Sequence, residues 1–282
     1  MSRIVKIFIC LSLSVLAAGK ASADLKTDTE YLADQVCAGR KTGTRGAIEA
    51  GWYIIKRLRE SGYDPVMQAF TEKGVTGHNI ICETKGNGPA IVIISHYDGL
   101  GEHEGVILPG ADANASGTAA LIWLAEALKD CGRKVIFAAL DAHHLELSGA
   151  KNLHSTLKGR KIRAVINIDT IGSDLAPVKA YYTSYLIALG ADDWKKPLEK
   201  RGKDAGIKVY FDYYGSREFT RLFYRELSDQ APFVADGTPA IMFTSGISSL
   251  NGKKEDVPET LNYDLFPKRL EIIGYFIKDC LR

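Results

Sequence analysis

The sequence carries no excess of charge, no internal repeat, no low-complexity linker and no long hydrophobic run beyond its first two dozen residues. Each absence removes a class of function. The 36 basic residues stand against 34 acidic ones, too even a balance for a chain that grips nucleic acid or an anionic membrane by charge. The longest apolar stretch, residues 7–19, is too short to cross a bilayer as a helix. Cysteine is scarce, and none of the five cysteines has metal-ligand spacing to another, which argues against a cysteine zinc site.

What is present at the start is a sorting signal. Arg3 and Lys6 precede the apolar stretch, and Ala21-Ser22-Ala23 follows it as an A-x-A cleavage site. Cys10 lacks the small residue before it that a lipoprotein signal needs. The expectation is a signal peptide over 1–23, a mature chain beginning at Asp24, and a periplasmic or secreted protein with no membrane attachment. Residues 1–23 hold three basic residues and no acidic one, so the remaining 259 hold 33 basic against 34 acidic. In an oxidising compartment Cys37, Cys82, Cys131 and Cys280 could pair in any of three ways. Residues 24–282 suit one domain with an ample core.

Periodicity predicts an amphipathic helix over 44–60, with Ile48, Trp52, Ile55 and Leu58 on one side and Gly62 ending it. Strands are predicted at 77–84 and 90–95, joined by Gly-Asn-Gly as a hairpin. Helix 116–129 follows, then strand 134–140, helix 149–158 and strand 163–168. Helix 191–205, strand 207–213, helix 217–226, strand 239–244 and helix 264–281 complete the chain. The alternation predicts a single-domain, three-layer α/β sandwich: a mixed, largely parallel sheet with helices on both faces.

In such sheets ligands bind beyond the carboxyl ends of the strands. The polar residues that directly follow the buried strands are His96, Tyr97 and Asp98, then Asp141, His143 and His144, then Asp169, then Ser245 to Asp256. Histidines and aspartates thus converge on one edge of the sheet, which is a site hypothesis with a physical basis. Tyr181, Tyr182, Tyr185, Tyr210, Tyr213 and Tyr214 are candidates for an aromatic wall near it, or for ordinary packing.

The ordered segments resemble the M28 family of zinc peptidases, which includes the glutaminyl cyclases. The matching pieces are Cys37 to Thr44, His96-Tyr-Asp98, Gly110 to Gly117, Leu140-Asp-Ala-His-His144, Asn167-Ile-Asp169, Ser228 to Phe233, Gly237 to Ala240 and Asp256 to Tyr263. The resemblance implies two zinc ions bridged by a carboxylate and a water, with a glutamate moving the proton. Carried over position by position, it keeps His96 and Asp169 as ligands and Asp98 as the partner that orients His96. The bridging aspartate falls at Ala113, with Asp112 beside it, and a shifted loop would bring that residue in. The paired glutamates fall at His143, the general-base position, and His144, a ligand position. The last histidine falls at Gly252, four residues before Asp256, and Gln230 replaces another histidine common in the family.

With three carboxylates gone, two cations close together are disfavoured. The expectation is at most one zinc ion, on His96 and Asp169 with His144 as third ligand, or none. Two functions follow. One is a catalytically impaired pseudoenzyme whose cleft binds a peptide, a sugar or another small molecule. The other is a metal-dependent aminopeptidase with a remodelled single-zinc site and His143 as base. Cyclase chemistry is disfavoured because the residues it keeps are those lost here. A structural protein without pocket function is a further reading.

Overall fold

The computed structural model describes residues 24–212 and 216–279. Residues 1–23, expected to be a signal peptide, and Tyr213, Tyr214 and Cys280 lie outside the described residues. Helix α1 covers 24–33, and α2 runs Arg45–Glu60 with Thr44 capping it through Ala47 N. The chain continues through β1 (Val66–Glu72), β2 (Val75–Glu83), β3 (Asn87–His96), β4 (Gly101–His103), β5 (Val106–Leu108), α3 (Ser116–Leu128), β6 (Arg133–Leu140), α4 (Ser148–Thr156) and β7 (Ile162–Ile168). It ends with β8 (Tyr185–Leu189), α5 (Lys195–Asp204), β9 (Lys208–Tyr210), α6 (Arg217–Leu222), α7 (Ala231–Ala235), β10 (Ala240–Thr244) and α8 (Phe266–Asp279). No helix among the described residues is long and apolar enough to cross a membrane.

Eight strands form one sheet in the order β1-β2-β6-β3-β7-β10-β8-β9. The central β6, β3, β7 and β10 run parallel, and β1, β2 and β8 join antiparallel. The mixed, three-layer sandwich is therefore as the periodicity implies. β3 shows why. Ile91 and Ile93 enter the core under α2, α3 and α8. Ala90, Val92 and Ile94 enter the opposite core under α4 and α7. A strand apolar on both sides belongs in the centre of a covered sheet.

That preference corrects the expected hairpin. β2 and β3 are not partners, because β6 lies between them. The hairpin is β1 with β2, turning at Lys73 and Gly74, both at positive φ. β8 is a strand that the periodicity does not predict, and strand 207–213 is formed only over Lys208–Tyr210. Cys37, Cys82 and Cys131 are unbonded thiols.

A buried arginine fixes the strand ends to the start of the chain. The Arg40 guanidinium donates to the carbonyls of Leu32, Tyr97, Pro109 and Gly110. Thus the turn at 37–44 is stitched to the loops after β3 and β5 that flank the candidate site.

Candidate functional site

The parallel strands β3, β6 and β7 deliver His96, Asp141 and Asp169 to one end of the sheet. The Nδ1 of His96 lies 3.0 Å from the carbonyl oxygen of Asp98, which can only accept. Nδ1 therefore carries a proton, and Nε2 faces Asp169 Oδ1 at 3.7 Å. Burial alone would push the His96 pKa down. Asp169 and Asp98 outweigh it and hold the imidazole well above its ordinary value. Burial would raise Asp169, and the His96 imidazole beside it pulls the carboxyl down to about 2.

Asp98 does more than orient His96. Its two carboxylate oxygens accept the backbone N–H groups of His143 and His144, at 3.0 and 3.1 Å. The turn after β6 is thereby held against the end of β3. His143 stacks on His96, with ring centroids 3.9 Å apart and 13° between planes. His144 stands edge-on to His96 at 5.6 Å and is exposed.

A residue with no assigned role in the sequence reading completes the cluster. Asp229 is fully buried, and its Oδ2 accepts from His143 Nδ1 at 2.9 Å. Its Oδ1 has no hydrogen-bond partner among the described residues. It arrives on the turn before α7, not on a strand end, so its place in the Ser228–Phe233 run is the one signal that could have flagged it. Its neighbour Ser228 donates to Asp169 Oδ2 at 2.9 Å. Asn167 in turn donates to Ser228 Oγ and Gln230 Oε1, so Gln230 has become part of a buried amide network.

The loop at 110–116 is organised differently. Asp112 is buried and turned away from the histidines. Its Oδ1 accepts from Gly172 N, Ser173 N and Ser116 Oγ, and its Oδ2 from Ser173 Oγ. Asp256 accepts from the backbone of Asp112 and Ala113, while its own carbonyl accepts from Ala111 N. Asn114 bonds Ser95 Oγ, His96 O, Ile168 O, Gly117 N and Thr170 N. Gly117 must be glycine, since a Cβ there would meet the Asn114 amide at 2.3 Å. The side chains of Asp112, Asn114 and Asp256 are thus committed to holding backbone.

Two groups bring histidine and carboxylate ligand atoms within 4.8 Å of one another: His96 with His143 and Asp229, and His96 with Asp98 and His144. A group that could hold a metal ion is therefore present. His96 faces Asp169, which belongs to neither group, and His144 joins His96 only with Asp98. Asp112 is in neither group. A two-ion centre does not fit this donor set. Ala113 has no donor where a bridging carboxylate would stand, Gly252 has none where a histidine would, and the carboxylates beside Ala113, Asp112 and Asp256, are tied to backbone. The stack adds a further constraint: lone pairs lie in the ring planes, so parallel rings aim theirs side by side and not at one point.

Comparison with known proteins agrees with the fold. The profile of peptidase family M28 matches residues 79–277. The chain is similar to leupeptin-inactivating enzyme 1 of Streptomyces exfoliatus, 31% identical over 151 residues, 48% of this chain and 33% of that protein. It is also similar to the alkaline phosphatase isozyme conversion protein of Escherichia coli, 26% identical over 208 residues, 62% of this chain and 58% of that one. The chain thus spans about a third and rather more than half the length of these two relatives. Among solved structures, the LapA aminopeptidase of Legionella pneumophila superposes with a TM-score of 0.73 at 17% identity, covering 95% of this chain and 73% of that one. The glutaminyl cyclase of Porphyromonas gingivalis gives 0.71 at 16% identity, covering 92% and 98%. At such identities the likeness is one of fold.

Proposed function

The chain belongs to peptidase family M28, and from that premise we propose that it is an exported relative whose two-zinc chemistry has been dismantled and whose cleft binds a ligand in place of cutting one. The observation that carries this reading is the loop at 110–116. Where the family resemblance puts the bridging carboxylate stands Ala113, and the adjacent carboxylate of Asp112 is spent on the 172–173 turn. A peptide is the ligand class that the family suggests, with other small molecules as further candidates.

A second reading is favoured by one retained feature. His96 Nε2 and Asp169 Oδ1 still face each other at 3.7 Å, and in a single-zinc aminopeptidase they would be the first two ligands, with His144 as the expected third. Both readings meet one experiment on the mature protein: elemental analysis after loading with zinc and washing, beside a panel of aminoacyl p-nitroanilides. The proposal expects less than one equivalent and no turnover. One equivalent that disappears in His96→Ala, with hydrolysis, would establish the second reading. Two equivalents with hydrolysis would overturn both.

A further inference from the structure

A second candidate site lies at the same end of the sheet, away from the histidines. Lys208 opens β9 opposite Tyr185, and the Tyr185 hydroxyl donates to Ser245 O just after β10. The start of β9 is therefore level with the functional strand ends, three strands beyond Asp169. There the surface has a depression of ≈ 660 Å³, lined in part by Tyr181, Tyr182, Thr183, Ser184, Glu199 and Lys203.

Two features mark this depression as facing a ligand. The first is a pair of bare aromatic faces. Tyr181 is 72% and Tyr182 41% exposed, and their centroids lie 4.7 Å apart at 49°, an open V. Tyr210 backs Tyr182 edge-on at 6.2 Å, and its hydroxyl is buried without a hydrogen-bond partner among the described residues. The second is a set of idle polar groups. Lys195, Lys200 and Arg201 on the same helix are all paired with acids. Glu199 and Lys203 have no ion pair, and the hydroxyls of Thr183 and Ser184 make no hydrogen bond, with other described residues.

We propose that this depression binds the pyranose ring of a glycan. A sugar ring presents a C–H face that packs on tyrosine and a rim of hydroxyls that both donate and accept. Tyrosine supplies the apolar face, while Glu199, Lys203 and the two hydroxyls supply acceptors and donors. A lining that carries both signs of charge selects neither a strong anion nor a strong cation, which suits a neutral polyol. Tyr185 takes no part, being fully buried. The site is independent of the metal question, so its failure leaves the cleft reading untouched.

The test is saturation-transfer NMR on the mature chain with the N-acetylglucosamine trimer, cellotriose and, as a peptide probe, tetra-alanine. Transfer to at least one saccharide is expected. Tyr181→Ala should weaken that binding by about tenfold, the scale of one lost aromatic contact, with the melting temperature unchanged. Glu199→Gln should weaken it severalfold, and His143→Ala should leave it as it was. No transfer to either saccharide would overturn the proposal. So would saccharide transfer undiminished in Tyr181→Ala, or transfer to tetra-alanine in place of the sugars.

Discussion

The two halves of the cleft keep their acids for different reasons. On the side of the 110–116 loop, Asp112 and Asp256 accept backbone N–H groups, and neither belongs to a group of ligand atoms that could hold an ion among the described residues. On the side of β3 and β7, Asp169 and Asp229 face imidazoles, and Asp229 leaves one oxygen unpartnered. The comparison teaches that carboxylates which hold the chain together have been kept in this protein. Of those that the resemblance would assign to metal or to proton transfer, Asp169 remains, and Ala113, His143 and His144 stand where the others would be. Asp98 plays both parts within the histidine half, because its carboxylate caps the 143–144 turn while its carbonyl holds His96.

The sharpest way to break this contrast is to remove a backbone-holding acid. Asp112→Ala leaves Gly172 N–H and Ser173 N–H without their acceptor inside the protein. Each such buried donor costs about 1–3 kcal/mol, so the variant should lose about 3 kcal/mol or more. Urea unfolding followed by circular dichroism would measure it. A loss under about 1 kcal/mol would mean that water replaces the carboxylate easily and that Asp112 is not a staple.

The next effect is of pH, and the halves push in opposite directions. Burial raises the pKa of Asp256 to about 6, and burial with the neighbouring Asp98 raises Asp141 to about 6. The folded state binds these protons more tightly than the unfolded chain. Their contribution is therefore present below about pH 4 and is lost as pH rises through 6. Asp169, held at about 2 by His96, contributes above pH 4 and loses that contribution only in stronger acid. The Asp256 and Asp141 shifts are each worth about 3 kcal/mol, and His144, whose pKa burial lowers to about 4, offsets part of their sum over the same window, so stability should fall by about 3 kcal/mol as pH rises from 4 to 7. Thermal melts at fixed ionic strength across that window test it. A rise in melting temperature would place the balance with the histidine half.

Restoring one lost ligand probes how far the loop has drifted. Gly252 sits at φ +75°, where a side chain costs about 1–2 kcal/mol. Gly252→His should therefore destabilise by that amount, whereas Ala113→Asp, at φ −113°, should stay within about 0.5 kcal/mol as an ordinary substitution. Equal costs at the two positions would mean that the backbone at 252 still accommodates a histidine.

Much of this is legible in the sequence. Buried parallel strands read as plain apolar runs, so the residues that end them, His96, Asp141 and Asp169, stood out. β1 did not, because VMQAFTE at the sheet edge is half exposed and mixes both characters. β8 is short, and its opening Tyr185, one of six tyrosines that suit either a wall or ordinary packing, packs in the core. Asp229 escaped because an irregular turn, not a strand, delivers it. The direction of Asp112 could not be read at all, since its partners Gly172 and Ser173 lie sixty residues along the chain.

The smallest expected effect is the most discriminating. If the staples hold the 110–116 loop, the fold has no need of an ion there. A ligand that binds only the folded state stabilises it by mass action, so a metal that props up a site shows itself when it is withdrawn. Chelator should leave the melting temperature within about 1 °C of the untreated protein, because no lost binding energy has to be replaced. Zinc added back should raise it no further. A fall of several degrees in chelator, abolished by His96→Ala and not by Asp112→Asn, would locate a stabilising ion on the histidine half. The two halves would then differ in their dependence on metal and not merely in what their acids face.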